Sequence, residues 1–339
     1  MSLTNFPNGV SSFGVPVLPG IPVPFTGKYF FVDPVNGADG NGGGSVGRAF
    51  QTLYKAHSMC LAGRNDVVFL IGNGATSGTA RLSKASAQTI DSTVTAGTLV
   101  WSKNSTHLIG IAAPSDNSRA RIAPETTDTL ALFGSGNMVT VTASGCTFAN
   151  ISAYQGFATG GASEICWTDS GGRNSYIGCQ IRGGGDTASS TTNVATMRSL
   201  LLSGSTGEHK FVGCTIGLDT TARSAGGIEM EFSGGLPRVT FDDCTIETNA
   251  GAAGCFWLKV GTGGIDRYVL FRNCTFSNPI ASGATSMTTG FSVAASPGGA
   301  VLMQNCLTYG ATAIDTAGKT FTNIADAGTA GGKVAAASA

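Results

Sequence analysis

Charged residues are scarce in this 339-residue chain: 12% are Asp, Glu, Lys or Arg, and 20 basic residues balance 20 acidic ones. Such a chain lacks the excess of Lys and Arg that binds nucleic-acid phosphates, so the composition excludes a nucleic-acid partner. No apolar run reaches the ~18 residues of a membrane helix, which excludes membrane insertion. The start, MSLTNFPNGV, has neither the basic nor the apolar region of a signal peptide, so we expect synthesis in a cytoplasm without secretion.

Motifs for metal, phosphate and redox chemistry are also missing. The nine cysteines include no CxxC pair and no Cys/His spacing of the zinc type, and no GxxxxGK[ST] phosphate loop occurs. We therefore expect no metal and no cofactor. Glycine is the residue in excess: its 50 residues are roughly twice the usual ~7% share. They follow no three-residue period, which excludes collagen.

Six of the nine cysteines recur at a nearly constant interval. They are Cys146, Cys179, Cys214, Cys244, Cys274 and Cys306, separated by 33, 35, 30, 30 and 32 residues. A period between 20 and 50 residues is typical of stacked repeats. We interpret each interval as one turn of a regular coil.

Alignment of the six segments on cysteine indicates how each turn is built. The preceding residue is always Gly, Asp or Asn, types that tolerate a left-handed backbone, and this predicts a bend at Gly145, Gly178, Gly213, Asp243, Asn273 and Asn305. The residues five and three before cysteine and two after it are mostly apolar, an alternation typical of strands with one buried face. An earlier copy places Ile111 in the cysteine position and Gly110 in the bend.

Each turn contains a further strand-like stretch before the next cysteine. These stretches are 164–169, 200–203, 228–233, 256–260 and 291–294. Turns of about 30 residues with two or three short strands, stacked ~4.8 Å apart, predict an all-β parallel β-helix. In this fold the six cysteines form an inward-facing ladder of free thiols, because Cβ atoms one layer apart exceed the ~3.5–4.5 Å of a disulfide.

Two other segments differ from the repeats. Residues 1–27 are Pro-rich and apolar, which predicts an extended arm that buries its side chains on a partner or on its own domain. The candidate attachment residues are Asn5, Phe6, Pro7, Val10, Phe13, Val15, Val17 and Leu18. The spacing of apolar residues predicts a short capping α-helix at 49–62 inside a β-helix domain of 28–325, and 326–339 form a low-complexity tail.

The runs YFFVDPVNGADGNGG, AFQTLYKAHSMCLAG and NDVVFLIGNG resemble the opening of right-handed, single-stranded parallel β-helix proteins of the pectate-lyase-like superfamily. The resemblance covers 28 to about 325 and implies this fold, which serves lyases, hydrolases, epimerases and inert spikes alike. The segment LTNFPNGVSSFGVP ahead of a β-helix is similar to virion proteins of tailed bacteriophages, including tailspikes and above all capsid decoration proteins. Viral spikes of this kind imply a homotrimer.

Catalysis in such a fold would depend on carboxylates, since glycoside hydrolysis requires an acidic pair. The strongest cluster is Glu229 and Glu231, expected to face outward, with Trp257 and Lys259 at matching positions of the next turn. It is either a glycan site with Trp257 as a sugar platform, or an ion pair of Glu231 with Lys259 while Trp257 is buried in a protomer contact. Acidic residues do not align over three consecutive turns, so we assign no catalytic residue.

These observations favour a non-enzymatic phage virion protein. We expect a trimeric β-helical spike on the capsid surface, made in the host bacterial cytoplasm and bound through its arm to the major capsid protein or another virion protein. One alternative is a tailspike depolymerase that cleaves host surface polysaccharide, with carboxylates from different protomers. The other is a module that binds host glycan without cleaving it.

Overall fold

The computed structural model describes residues 11–12, 15–16, 26–73, 78–82, 97–113, 120–124, 137–156, 165–184, 197–279, 285–315 and 317–322. Within the predicted arm, the short strands β1 (Ser11–Ser12) and β2 (Val15–Pro16) pair antiparallel. The other candidate attachment residues, Asn5, Phe6, Pro7, Val10, Phe13, Val17 and Leu18, lie outside the described residues, and so does the tail 326–339.

Three parallel sheets contain the remaining strands, and the chain visits them in turn. The first sheet consists of β3 (Tyr29–Val32), β4 (Asp66–Ile71), β7 (Thr106–Ile111), β10 (Thr147–Ala149), β13 (Ser175–Ile177), β16 (His209–Val212), β19 (Leu236–Asp242), β22 (Ile265–Arg272), β25 (Ala300–Gln304) and β28 (Thr320–Thr322). The second consists of β5 (Ala80–Leu82), β8 (Ala120–Pro124), β11 (Ile151–Tyr154), β14 (Gln180–Arg182), β17 (Thr215–Arg223), β20 (Thr245–Ala250), β23 (Thr275–Ser277) and β26 (Leu307–Tyr309). The third consists of β6 (Leu99–Trp101), β9 (Asn137–Val141), β12 (Ile165–Asp169), β15 (Arg198–Leu202), β18 (Ile228–Phe232), β21 (Phe256–Val260), β24 (Met287–Val293) and β27 (Ala311–Asp315). The predicted fold is confirmed: the chain is a right-handed parallel β-helix.

One α-helix precedes the first complete turn. Helix α1 (Leu53–Met59) is shorter than the predicted 49–62, because the backbone is extended at Thr52 before it and at Cys60 after it. A separate 3₁₀ turn occupies Val46–Arg48. Thr52 caps its amino terminus by accepting a hydrogen bond from the Lys55 amide. The helix lies between β3 and β4, two neighbouring strands of the first sheet. In later turns, the chain between two such strands forms one strand of the second sheet and one of the third. None of the described helices is long and apolar enough to cross a membrane.

Identical positions of successive turns stack in register. Tyr176, Phe211, Phe241 and Phe271 pair with one another in the first sheet. Their ring centroids lie 4.5–4.8 Å apart with nearly parallel planes, so the apolar positions three residues before cysteine form a continuous aromatic stack in the core.

Five of the six predicted cysteines form the inward ladder. Cys179, Cys214, Cys244, Cys274 and Cys306 are at most 8% exposed, and all nine cysteines of the chain are free thiols. The residue before each has a left-handed backbone, with φ between 52° and 58°. The two-residue bend therefore follows from residue type, as expected.

The placement of Cys146 in the ladder is wrong. Phe148 pairs with Tyr176, so Cys146 lies five positions earlier than expected, and Ile151 takes the ladder position in this turn. Gly145 does have a positive φ of 71°, but it belongs to a second left-handed column with Asn65, Ser105 and Arg173, at the turn that leads into the first sheet. Both kinds of bend favour the same residue types. The distance along the chain from one kind of bend to the other kind in the next turn is therefore close to one period of the repeat, which explains the wrong placement.

The earlier copy at Ile111 also differs from expectation. Strand β7 runs straight through Gly110, which has no left-handed φ, and pairs with β4 up to Ile71. The side chain of Ile111 is 44% exposed instead of occupying a ladder position. The first two complete turns thus lack the bend that defines the later ones.

Candidate functional site

Glu231 and Lys259 occupy adjacent turns, as their matching positions predicted. They pair in register on β18 and β21, with 3.0 Å between Lys259 Nζ and Glu231 Oε1. The second carboxylate oxygen accepts a hydrogen bond from Arg198 Nε at 2.5 Å. Burial raises the pKa of Glu231, but the two cations outweigh it, so the net pKa lies below the usual value. The ion-pair interpretation of these two residues is confirmed.

Glu229 does not face outward, so this expectation is wrong. Its side chain has no exposed surface and lies 3.0 Å from Arg223, measured between Oε1 and Nε. Ser199 Oγ and Thr248 Oγ1 donate to its two oxygens at 2.6 and 2.8 Å. The reason is the length of β17, which carries Arg223 to the corner between the second and third sheets. The carboxylate is sealed in a fully paired network.

Trp257 is also buried, with 0% exposure, so it offers no sugar platform and no surface for a protomer contact. Its indole Nε1 donates to the carbonyl of Ser277 at 2.9 Å, and its ring lies 5.8 Å from that of Phe276. Gly290 in the next turn makes room, since a Cβ there would lie 2.4 Å from the indole. The side chain turns toward the second sheet, as does that of Glu229.

A second buried polar cluster surrounds Asp169, whose side chain is fully buried. Tyr176 Oη donates to it at 2.6 Å, and Asn174 Nδ2 donates at 3.0 Å. His209 Nδ1 lies 3.5 Å away, and burial lowers the pKa of this histidine, which favours the neutral ring. Because the cluster is closed to solvent, its role is to hold consecutive turns together.

The outer face of the first sheet carries a groove of about 540 Å³, lined partly by Arg173, Lys210, Arg238, Tyr268 and Arg272. We call it the basic groove. Four cationic side chains and one carboxylate, Glu208, line it. The side chains come from turns stacked directly on one another, because the groove crosses four consecutive strands, β13 to β22.

Two of the cations in the basic groove are partly neutralised. Arg238 donates to Glu208 at 2.6 Å, and Arg272 forms a two-point contact with Asp242 at 3.0 and 2.5 Å. The Arg272 guanidinium lowers the pKa of Asp242. Lys210 and Arg173 are exposed and form no ion pair with any described residue, so they are available to an anionic ligand.

A second groove of about 460 Å³ lies on the outer face of the second sheet. It contains Arg121, Tyr154, Arg182, Asp219 and Glu247, and Arg182 Nη2 lies 3.3 Å from Glu247 Oε1. Its two basic and two acidic side chains balance each other. This groove therefore carries no excess of positive or negative charge.

The thiols and acidic residues of the described part of the chain do not cluster as metal ligands, and the thiols are protonated. No group of three His, Cys, Asp or Glu side chains there is placed to hold a metal ion. Burial raises the pKa of Cys60 to about 12 and that of Cys146 to about 11, which keeps both as thiols at neutral pH. In Cys274, a hydrogen bond with the Cys244 thiol is the main cause of a pKa raised to about 12.

The stacked turns and the three parallel sheets define a right-handed parallel β-helix, and solved structures share this fold. A rhamnogalacturonan lyase structure matches at 17% identity and a TM-score of 0.54, covering 87% of this chain and 73% of its own. Pectate lyase Pel9A matches at 13% identity and a TM-score of 0.53, covering 93% and 79%. A pectin methylesterase from Aspergillus niger matches at 15% identity and a TM-score of 0.51, covering 93% and 92%. At these identities the likeness is one of fold. No family model and no curated protein matches the chain.

The basic groove was not predicted from the sequence, although its residues recur there at fixed positions. Arg173, Glu208, Arg238 and Tyr268 all stand six residues before a ladder cysteine, and Lys210 stands four before. These are outward positions of the same alignment that revealed the core. The charges at these outward positions therefore indicate the groove in the sequence.

Proposed function

We propose that the chain is a non-enzymatic structural protein of a tailed-bacteriophage virion, a β-helical spike that decorates or stabilises the capsid and is anchored by residues 1–27. The non-enzymatic part of the proposal rests on the ion pairs that hold Glu229 and Glu231. One is sealed with Arg223, and the other is held between Arg198 and Lys259. The virion assignment rests on the amino-terminal resemblance and on the stiffness of stacked layers.

Mass spectrometry and immunogold electron microscopy of virions produced by the genome that encodes this chain test the proposal. We expect label on the capsid, and loss of that label when residues 1–27 are deleted. Purified particles without the chain overturn the virion assignment, and label confined to the tail favours the tailspike alternative. We also propose that the spike is a homotrimer, as the resemblance to viral spikes implies, and light scattering of the isolated protein tests this.

Binding of a host surface polysaccharide is a second candidate function, and the basic groove supports it. Exposed Lys210 and Arg173 suit an acidic glycan, and Tyr268 adds an aromatic surface. Two of the similar structures are lyases named for rhamnogalacturonan and pectate, which makes a polysaccharide ligand a natural candidate. A depolymerase would need an intersubunit site, and incubation of the assembled protein with host polysaccharide tests for cleavage.

A further inference from the structure

The first sheet has two apolar faces at its amino-terminal end. In β4, Val68 and Leu70 belong to the main core, whereas Val67 and Phe69 point to the opposite side. There they form a separate cluster with Ile109 and Ala149, against which Tyr29, Phe31 and Ile177 pack. We call these seven residues the outer apolar face. It spans five consecutive strands, β3 to β13.

The same columns are polar further along the rod. The column of Val67 continues through Ser175 to Lys210, and that of Phe69 continues to Asp242 and Arg272. Outward positions of a sheet with one buried face are normally polar, as they are in these later turns. The apolar stretch is therefore specific to the amino-terminal end.

The outer apolar face is buried within a single chain. Val67 and Ala149 are 0% exposed, and Ile109 and Phe69 are 2% and 4% exposed. A sheet face without a covering layer exposes its side chains to solvent, so another segment must lie over this one. Since the burial is that of one chain, the cover comes from the chain itself.

We propose that the outer apolar face is the docking surface for residues 1–25 of the same chain. This segment is apolar, with Val17, Leu18, Ile21, Val23 and Phe25 close to the point where the described domain begins. That point, Thr26, lies three residues before the start of β3, whose Tyr29 and Phe31 form one edge of the face. The nine residues 17–25, which follow β2, reach up to ~30 Å when extended, whereas five strands span only ~20 Å, so the segment is long enough.

Docking gives the arm two alternative partners. The contact with its own domain is independent of the proposed virion role. If the arm also binds the capsid, as proposed above, attachment must compete with the outer apolar face. The apolar side chains of the arm then stay buried against the outer apolar face, which keeps the protein soluble. Binding to the virion surface displaces the arm from that face.

Thiol labelling of the full chain tests the docking. Val67→Cys places a nearly isosteric thiol under the proposed cover, and Val46→Cys is the matched control, since Val46 is 58% exposed. The nine native thiols are buried, so the introduced thiol is the reactive one. We expect a maleimide to label Val67→Cys at least 100-fold more slowly than Val46→Cys. Adding Val17→Asp and Leu18→Asp to displace the arm should accelerate labelling at least 10-fold.

Three outcomes overturn the proposal. One is labelling of Val67→Cys as fast as that of the control, and another is protection that the two aspartates do not change. The third is protection that disappears on dilution together with a change in mass, because the cover would then belong to a second copy. Circular dichroism of each variant verifies that the β-helix is intact.

Discussion

The guanidinium of Arg223 lies 3.0 Å from the carboxylate of Glu229, and neither side chain has any exposed surface. Arg223 also donates to the carbonyls of Gly183 and Gly184, both at 2.6 Å. Three turns of the rod thus meet at one buried ion pair. Removing either charge leaves the other buried without its partner, so the stability of the fold should be sensitive to substitution of either residue.

We expect Glu229→Ala to destabilise the protein by about 3–5 kcal/mol, because it leaves the Arg223 charge uncompensated inside the protein. The measurement is the denaturant midpoint of unfolding. Arg238→Ala is the control. Its ion pair with Glu208 is largely exposed, so the free energy of unfolding derived from the midpoint should fall by less than ~1 kcal/mol. Equal shifts for the two variants would contradict the assigned role.

The carboxylate of Asp66 predicts a pH dependence. It accepts hydrogen bonds from the backbone amides of Lys28 and Leu61 and from Arg64. Burial raises its pKa, but these contacts outweigh it and hold the pKa below the ordinary value of 3.8. A lowered pKa stabilises the fold above the ordinary value, and this contribution is lost as the pH falls through the folded pKa.

Asp66→Asn should therefore cost about 1–3 kcal/mol at pH 7, and progressively less as the pH falls through the folded pKa of Asp66. Thermal melts of both proteins between pH 2 and 7 measure the difference. A gap between the two that stays constant with pH would show that the charge of Asp66 plays no part.

The buried thiols predict chemical inertness. Under native conditions we expect none of the nine cysteines to react with a thiol reagent within an hour, and all nine to react after unfolding. Reducing agents should leave the melting temperature unchanged. Cys306 is the most exposed ladder member at 8%, so any slow reaction should begin there. Rapid modification at another position would contradict the ladder.

Charge reversal in the basic groove tests glycan binding. We expect Arg173→Glu with Lys210→Glu to weaken binding to polygalacturonate at least 10-fold at low salt, measured by affinity electrophoresis. Arg48→Glu makes the same kind of charge change at an exposed position that does not line the groove and should have no effect. Neutral dextran should not bind. Loss of binding with Arg48→Glu as well would indicate a nonspecific electrostatic effect.

Much of the fold could be predicted from local signals. The bends at Asp243, Asn273 and Asn305 follow from residue type, and the stretch 256–260 is strand β21 in full. Such features depend on neighbours within a few residues and on a period that stacks them.

The environment of Glu229 could not be predicted in the same way. Alternation along β18 placed it outward, but Arg223 reaches it through an irregular corner where the register of β17 shifts between Leu218 and Arg223. This contact occurs in one turn only, so the position of the cation does not recur with the period of the repeat and the sequence pattern does not indicate it. Cys146 is the opposite case. Its interval fits the period of the repeat, but the residue follows the bend that leads into the first sheet and not the bend before the ladder position.

The left-handed residues Asp243 and Asn273 are separated by one complete turn of 30 residues. Removing 244–273 would join Asp243 directly to Cys274 and recreate the same junction, leaving a rod shorter by one layer of ~4.8 Å. Duplicating that segment would lengthen it by the same step. Evolution or an engineer can therefore adjust the reach of this protein in discrete increments while its cross-section stays constant.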